Sequence, residues 1–373
     1  MKRTRLLWKA RALYLPYVLL DAIENRRAKA AVRRFLVLRH SGKSPYFHNY
    51  FLQWLEKEAP DMRARFELRL LPCRNCDFSR YVLHIPWFQD PAEDWMTRSA
   101  FRRAIQIAAR CRQMGIPVIN PIDRLSNATK SVGARIMAEA GVRTPKIRVI
   151  QRPETFRQDL AGLALPLLVR QDRGHGGPTF LVRSRADVDA IPFGRLRNPI
   201  AVEFIDGSSP RDGLYRKYRY LAAGEIGVPR HLMISSHWEV REKQRIVNHS
   251  TRDEELAYLD GPDPNHARLQ AARRAMGLDW VAFDYGYDPE GRLVVWEANP
   301  YPSLRYPQGE VLCYSAPFVH RSYAAMAKMY LTRAGLPVPS RLEKLLENVA
   351  GYPLGAAAPC REQENKVPAR VAA

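Results

Sequence analysis

The stretch 281–302 constrains this chain more than any other. Val-Ala-Phe-Asp-Tyr-Gly-Tyr (281–287) and Arg-Leu-Val-Val-Trp-Glu (292–297) are rich in aromatic and β-branched residues. Asp288-Pro-Glu-Gly291 between them places Asp, Pro and Gly where a type I turn wants them. The pattern predicts a β-hairpin with a four-residue loop, Tyr287 opposite Arg292 and Asp284 opposite Val295. Strand side chains alternate faces with period two, so Asp284, Glu297 and Asn299 share a face. Diagonal neighbours across such a pair lie roughly 7–8 Å apart. Two carboxylates at that spacing suit a hard cation, and Mg²⁺ held by a few carboxylates with substrate phosphates is the common pattern. A one-residue slip would move Asp284 to the other face and remove the site. The bland alternative is a solvated strand face. Pro300 and Pro302 end the strand, which leaves the polar trio at a strand end.

The 373 residues suffice for two or three domains with a sizeable core. An apolar content of 46% with 26% charged residues fits a soluble globular protein. The five cysteines (Cys73, Cys76, Cys111, Cys313, Cys360) are few and odd in number, which argues against a disulfide framework and for a reducing, cytoplasmic compartment. The formal charge of +21 attracts anions of any kind, from nucleotides and acidic substrates to nucleic acid or an acidic membrane. Every apolar run is shorter than the ~18–20 residues of a spanning helix.

Residues 1–34 are basic around an apolar patch at 12–23 that Pro16 and Asp21 interrupt. A secretory signal fits poorly, because Ala28-Lys-Ala30 follows two arginines. An amphipathic helix on a membrane surface or a partner subunit is one reading; a helix packed on the protein's own body is the other. Residues 35–122 alternate strands (35–38, 66–71, 81–85, 116–119) with helices (50–57, 99–114), the pattern of a largely parallel sheet. Two decoys lie here. Gly42-Lys-Ser44 lacks the glycine that a phosphate loop needs five residues earlier, where Val37 stands. Cys73-Arg-Asn-Cys76 has no second pair at finger spacing.

Ser126 or Asn127 is expected to cap a helix running to Ala140. That puts Lys130 in the first turn, an unfavourable place for a cation, with plain exposure as the bland reading. Between strands at 165–171 and 179–183 runs Asp-Arg-Gly-His-Gly-Gly-Pro (172–178), whose glycines let backbone N–H groups wrap an anion. Alternation in 215–222 puts Lys217 and Arg219 on one face and Arg216 on the other. Helices are expected at 264–276, 318–334 and 340–349, and a disordered tail from Gly355.

With the hairpin, the glycine loop and Lys130 in that order, residues 116–305 resemble the ATP-grasp superfamily, of the carboxylate–amine ligase type. The resemblance implies an α/β and α+β architecture. A basic segment (1–34) and an α/β pre-grasp domain (35–122) would precede two grasp subdomains (123–202 and 203–335), with a helix and tail (336–373) after them. It implies that Lys130, Arg170, Gly174, Gly176 and Gly177 hold ATP phosphates and that Glu203, Phe204 and Ile205 form the adenine hinge. Asp206 or Asp212 would serve the ribose. Lys217 and Arg219 would face phosphate or the acyl intermediate, and Asp284, Glu297 and Asn299 would bind Mg²⁺ or Mn²⁺. Where the family usually carries lysine this chain has Arg170, a planar fork in place of a point charge. The implied reaction joins a small, acidic carboxylate substrate to an amine through an acylphosphate. A phosphotransferase, or a degenerate grasp serving as a basic scaffold on nucleic acid or membrane, are the alternatives.

Overall fold

The computed structural model describes residues 33–40, 48–73, 76–88, 92–174, 177–307 and 310–349, with Leu19 alone before them. Gly176, the Gly42-Lys-Ser44 decoy, nearly all of the N-terminal basic segment and the C-terminal tail lie outside the described residues.

Three sheets organise the chain. The first is parallel, in the order β2-β1-β3, from β1 (Arg34–Arg39), β2 (Phe66–Leu70) and β3 (Tyr81–Trp87). β1 reads Arg-Phe-Leu-Val-Leu-Arg and is buried throughout, as a parallel strand covered on both faces must be. The expected strand at 116–119 is reduced to one bridge, Val118 to His84. The second sheet is antiparallel, in the order β4-β7-β5-β6, from β4 (Ile147–Val149), β5 (Leu167–Gln171), β6 (Thr179–Val182) and β7 (Pro199–Glu203). The third is antiparallel, in the order β11-β10-β8-β9, from β8 (Tyr215–Ala223), β9 (Ile226–Ser235), β10 (Trp280–Tyr287) and β11 (Leu293–Asn299).

The helix Pro317–Arg333 is buried on nearly every side, with His320, Arg321 and Ser322 among its buried residues. It packs on β8 and β9, and toward the first sheet its Tyr330 hydroxyl accepts from Trp87 Nε1 at 3.3 Å. One apolar core therefore runs through the first and third sheets. The second sheet has a separate core around Phe156, Leu167, Val169 and Val182. The helix His249–Asp260, which covers β9, was not legible in the sequence. Its inward face carries Thr251, Glu255 and Leu259, too polar a stripe to read as periodic. Among the described residues no helix is long and apolar enough to cross a membrane. Cys73, Cys76 and Cys111 are free thiols.

Candidate active site

The hairpin forms, but in a different register. Asp288 closes on Arg292 through N–H···O at 3.0 Å, leaving Pro289-Glu290-Gly291 as a three-residue loop with Gly291 at φ +75°. This is the type I turn followed by a left-handed residue that three-residue hairpins use. Tyr287 consequently faces Leu293 rather than Arg292. A second one-residue shift follows at a bulge, where the pairing passes from Tyr285–Val295 to Asp284–Glu297 and Trp296 becomes the extra residue. Either shift alone would turn Asp284 away from Glu297; together they restore the face. The two carboxylates thus stand directly opposite one another, not diagonally. Asn299 lies two residues on, and its Oδ1 accepts the Tyr301 N–H at 3.0 Å. The bulged Trp296 lies across Gly286, where a Cβ would come within 2.2 Å of the indole, so that position excludes any side chain.

The row continues across the sheet, with Asp284 opposite Arg219 on β8 and Arg219 opposite His231 on β9. Arg219 forks onto both oxygens of Asp284, at 2.6 and 2.7 Å. Lys217, two residues away on the same face, donates to the Val240 carbonyl at 2.6 Å. Asn120, missed in the sequence, fixes both ends of the hairpin: its amide donates to Trp280 O at 2.6 Å and Pro300 O at 3.0 Å, and its Oδ1 accepts from Trp280 N at 2.9 Å. It sits at φ +43°, a conformation asparagine tolerates, and the sequence Ile-Asn-Pro was the only hint.

Lys130 opens the helix Lys130–Glu139, whose N-cap is Thr129 rather than Ser126 or Asn127. The lysine is 7% exposed, so the bland reading of an exposed cation fails. Its Nζ donates to Gly174 O at 2.8 Å and Asp172 O at 3.3 Å and lies 4.0 Å from Glu297. Asp172 accepts the Ser131 N–H and hydroxyl, each at 2.8 Å. A carboxylate thereby offsets the lysine at the positive end of the helix and ties the glycine loop to it. Arg170, on β5, places Nη2 3.9 Å from the other oxygen of Glu297. The segment after the helix docks on the hairpin through the Arg143–Asp288 ion pair, and Arg143 O accepts from Val295 N at 3.0 Å.

These elements enclose a cavity of about 390 Å³ between the second and third sheets. Lys130, Arg170, Glu203, Phe204, Ile205, Lys217, Asp284 and Glu297 line it. Leu168, Val202, Met233, Val240 and Trp296 complete an apolar slot, and Phe204 meets Trp238 edge to face at 5.9 Å. Arg219, Asn299, Gly174 and Gly177 are outside the lining. Gly174 reaches the site through its carbonyl on Lys130, and Gly177 O accepts from Arg241, itself a lining residue, at 3.4 Å. Glu203 spends one oxygen on the Lys146 N–H at 2.9 Å. Neither ribose candidate lines the cavity. Asp212 is held by Arg216 at 2.7 Å, and Asp206 accepts the Ser208 N–H at 2.9 Å. Glu239 and Glu242, from the stretch after β9, are the acids that reach the cavity there.

Two opposed carboxylates on a cavity wall are a fitting donor set for a hard cation that takes its remaining oxygens from a ligand. Among the described residues no three His, Cys, Asp or Glu side chains gather into an all-protein cage.

No family model matches the chain, and no curated protein matches it in sequence. Solved structures do match. D-alanine–D-alanine ligase from Bacillus anthracis, complexed with ATP, is 12% identical with a TM-score of 0.51, covering 84% of this chain and 100% of that one. The macrocyclase MdnC from Microcystis aeruginosa, bound with precursor peptide MdnA, is 12% identical with a TM-score of 0.50, covering 80% and 99%. A RimK domain ATP-grasp protein from Sphaerobacter thermophilus is 16% identical with a TM-score of 0.48, covering 80% and 99%. The chain has the ATP-grasp fold. At these identities the likeness establishes the ATP-grasp architecture and leaves the chemistry to the residues themselves.

Proposed function

We propose that this chain is an ATP-dependent ligase that activates a substrate carboxylate as an acylphosphate and joins it to an amine, releasing ADP and phosphate. The observation that carries the reading is the cavity in which an apolar slot, cations that include Lys130, Arg170 and Lys217, and two opposed carboxylates (Asp284, Glu297) converge. Its volume is that of a small-molecule site. A flat base fits among Leu168, Val202, Phe204, Met233 and Trp296, with backbone groups of 203–205 at its edge. Lys130, Arg170 and Lys217 neutralise the phosphate chain, and the loop around Gly174 and Gly177 covers it and excludes water that would hydrolyse the acylphosphate. Asp284, Glu297 and Asn299 are the residues that would hold Mg²⁺, which when bound neutralises and orients phosphate oxygens. The protein supplies position and charge, not a nucleophile: the substrate carboxylate attacks the γ-phosphorus, ADP leaves, and the amine then displaces phosphate. The amine's proton is lost as the amide forms.

The test is purified protein with ATP, Mg²⁺ and a panel of amino acids and acidic peptides, assayed for phosphate release and for products by mass. A new amide is expected; a phosphorylated acceptor would make it a phosphotransferase, and no nucleotide binding would defeat the reading. The bidentate Arg219–Asp284 pair favours one other reading, a basic binding protein whose grasp no longer turns over. Nucleotide binding without product, together with salt-sensitive binding to nucleic acid or anionic vesicles, would support it.

A further inference from the structure

Beyond the cavity, the row Asp284–Arg219–His231 ends in a group of cations with too few acids. The β8–β9 pairing passes from Arg219–His231 to Tyr220–Pro229, which leaves Arg230 as the extra residue of a bulge. Bulges re-aim side chains beside active sites. Arg230 is 9% exposed. Its Nη2 donates to Arg305 O at 3.0 Å, on the segment that leaves the hairpin after Asn299. Its Nε is buried without a partner, and so is Nε2 of the half-buried His231. Burial, then the charges of Arg219, Arg230, Lys217 and Arg245, push the His231 imidazole well below its ordinary value. The acids nearby are engaged: Asp284 by Arg219, and Glu255 by Arg245, by the Tyr314 hydroxyl and by Leu232 N at 3.2 Å. Among the described residues no carboxylate lies within ion-pair distance of Arg230. A buried guanidinium without a counter-charge is costly, and a bound anion removes the cost.

That anion is not the nucleotide's phosphate chain. Lys130, Arg170 and Lys217 line the cavity itself, whereas Arg230 and His231 are not among its lining; His231 continues the face that Lys217 and Met233 begin, with the bulged Arg230 next to it in the chain. We infer that Arg230 and His231 hold a second carboxylate of the substrate, so that the acid activated at Asp284 and Glu297 is a dicarboxylic acid or an acidic peptide. This rests on the ligase reading and deepens it. One carboxylate would stand at the cation end of the cavity and the other beside the unpartnered Arg230 Nε and His231 Nε2, which would donate to it.

The experiment uses the full chain saturated with ADP and Mg²⁺, with glutarate and monomethyl glutarate as probes. They match in length and differ by one charge. Calorimetry should show glutarate binding about tenfold or more tightly, the size of one charge-assisted hydrogen bond. Arg230→Gln should erase the preference with ADP affinity unchanged, and Arg230→Lys and His231→Gln should each retain part of it. Equal binding of the two probes by the wild-type chain would overturn the inference. So would a preference that survives in Arg230→Gln, or tight binding of inorganic phosphate in place of glutarate. The ADP titration reports separately on the ligase reading: failure there defeats that reading, while failure of the glutarate pair alone defeats only the role of Arg230 and His231.

Discussion

The two walls of the cavity rest on different foundations. The wall from the third sheet shares its core with the N-terminal parallel sheet through the helix Pro317–Arg333, and its site residues are locked by register, by the Arg219 fork and by Asn120. The facing wall stands on its own small core and contributes Arg170 and the Gly174 carbonyl, which Lys130 reaches from a helix whose Met137 sits in the large core. A unit with few buried apolar residues opens at lower free energy than the body it leans on. The acids that need fixed positions lie on the stiffer wall together with Lys130 and Lys217, and Arg170 with the glycine loop, which can follow a moving phosphate chain, lies on the softer one.

The largest effect should come from the stiff wall. Glu297→Gln keeps the shape and removes the charge that faces Lys130 and Arg170. ATP turnover is expected to fall about a thousandfold, with a single cooperative urea transition retained and unfolding free energy changed by no more than about 1–2 kcal/mol. Turnover within tenfold of wild type would mean that the chemistry is not on this wall. Next in size is Leu167→Ala, which opens a cavity under the soft wall at a fully buried position, at a cost of about 3 kcal/mol. Hydrogen exchange should speed up across residues 147–203 and stay unchanged in β1 and β10. A uniform loss of protection would show that the two cores open as one and would erase the contrast.

That contrast also sets what could be read in advance. The hairpin and the strands β5 and β6 of the small sheet were legible, because alternation, turn chemistry and glycine placement are local signals, whereas Lys130, Arg170 and Lys217 were pointed to by the family resemblance. The hairpin register was not legible. Turn closure at Asp288–Arg292 and the bulge at Trp296 each moved it by one residue, and the expected face survived because the two shifts add to two. Beyond the Ile-Asn-Pro hint at Asn120, the residues Asn120, Asp172 and Arg230 carry no local signature. Each acts on a partner far along the chain, as Asn120 does on Trp280 and Asp172 on Ser131. The ribose acids were misjudged for a similar reason: Asp212 looked available until Arg216 on β8 and Glu254 on the unforeseen helix closed a network around it.

Acid should separate the walls by a smaller margin. His84 lies fully buried in the first sheet, its Nδ1 3.0 Å from Leu36 O, and burial pushes its imidazole down to about 4. His320, in the shared body, is likewise pushed to about 4. An unfolded histidine titrates near 6.5, so between that value and about 4 the unfolded chain binds protons that the native state refuses. This stability is present in full above pH 6.5 and is lost as pH falls through the window. Lowering the pH from 7 to 5.5 should cost about 1 kcal/mol for each histidine, seen as faster exchange in the large body. The small core has no buried histidine among the described residues and should hold its rates. His84→Gln should remove its own share of the slope and leave the shares of His320 and His231.

The smallest effect is expected at Arg170, and it sharpens the comparison most. If the soft wall contributes charge alone, a lysine there restores what matters, even though it cannot fork. Arg170 makes no bidentate pair: Nη2 is 3.9 Å from Glu297, and Nε is buried without a partner. Arg170→Lys should therefore change KM for ATP by no more than about threefold, whereas Arg170→Met, which deletes the charge, should raise it about tenfold, the loss of one charged hydrogen bond. Steady-state kinetics on the three proteins decide between the two accounts. Equal losses in the lysine and methionine variants would mean that the fork itself is read by the phosphates. The soft wall would then hold a fixed geometry of its own, and the division of labour between the walls would fail at this residue.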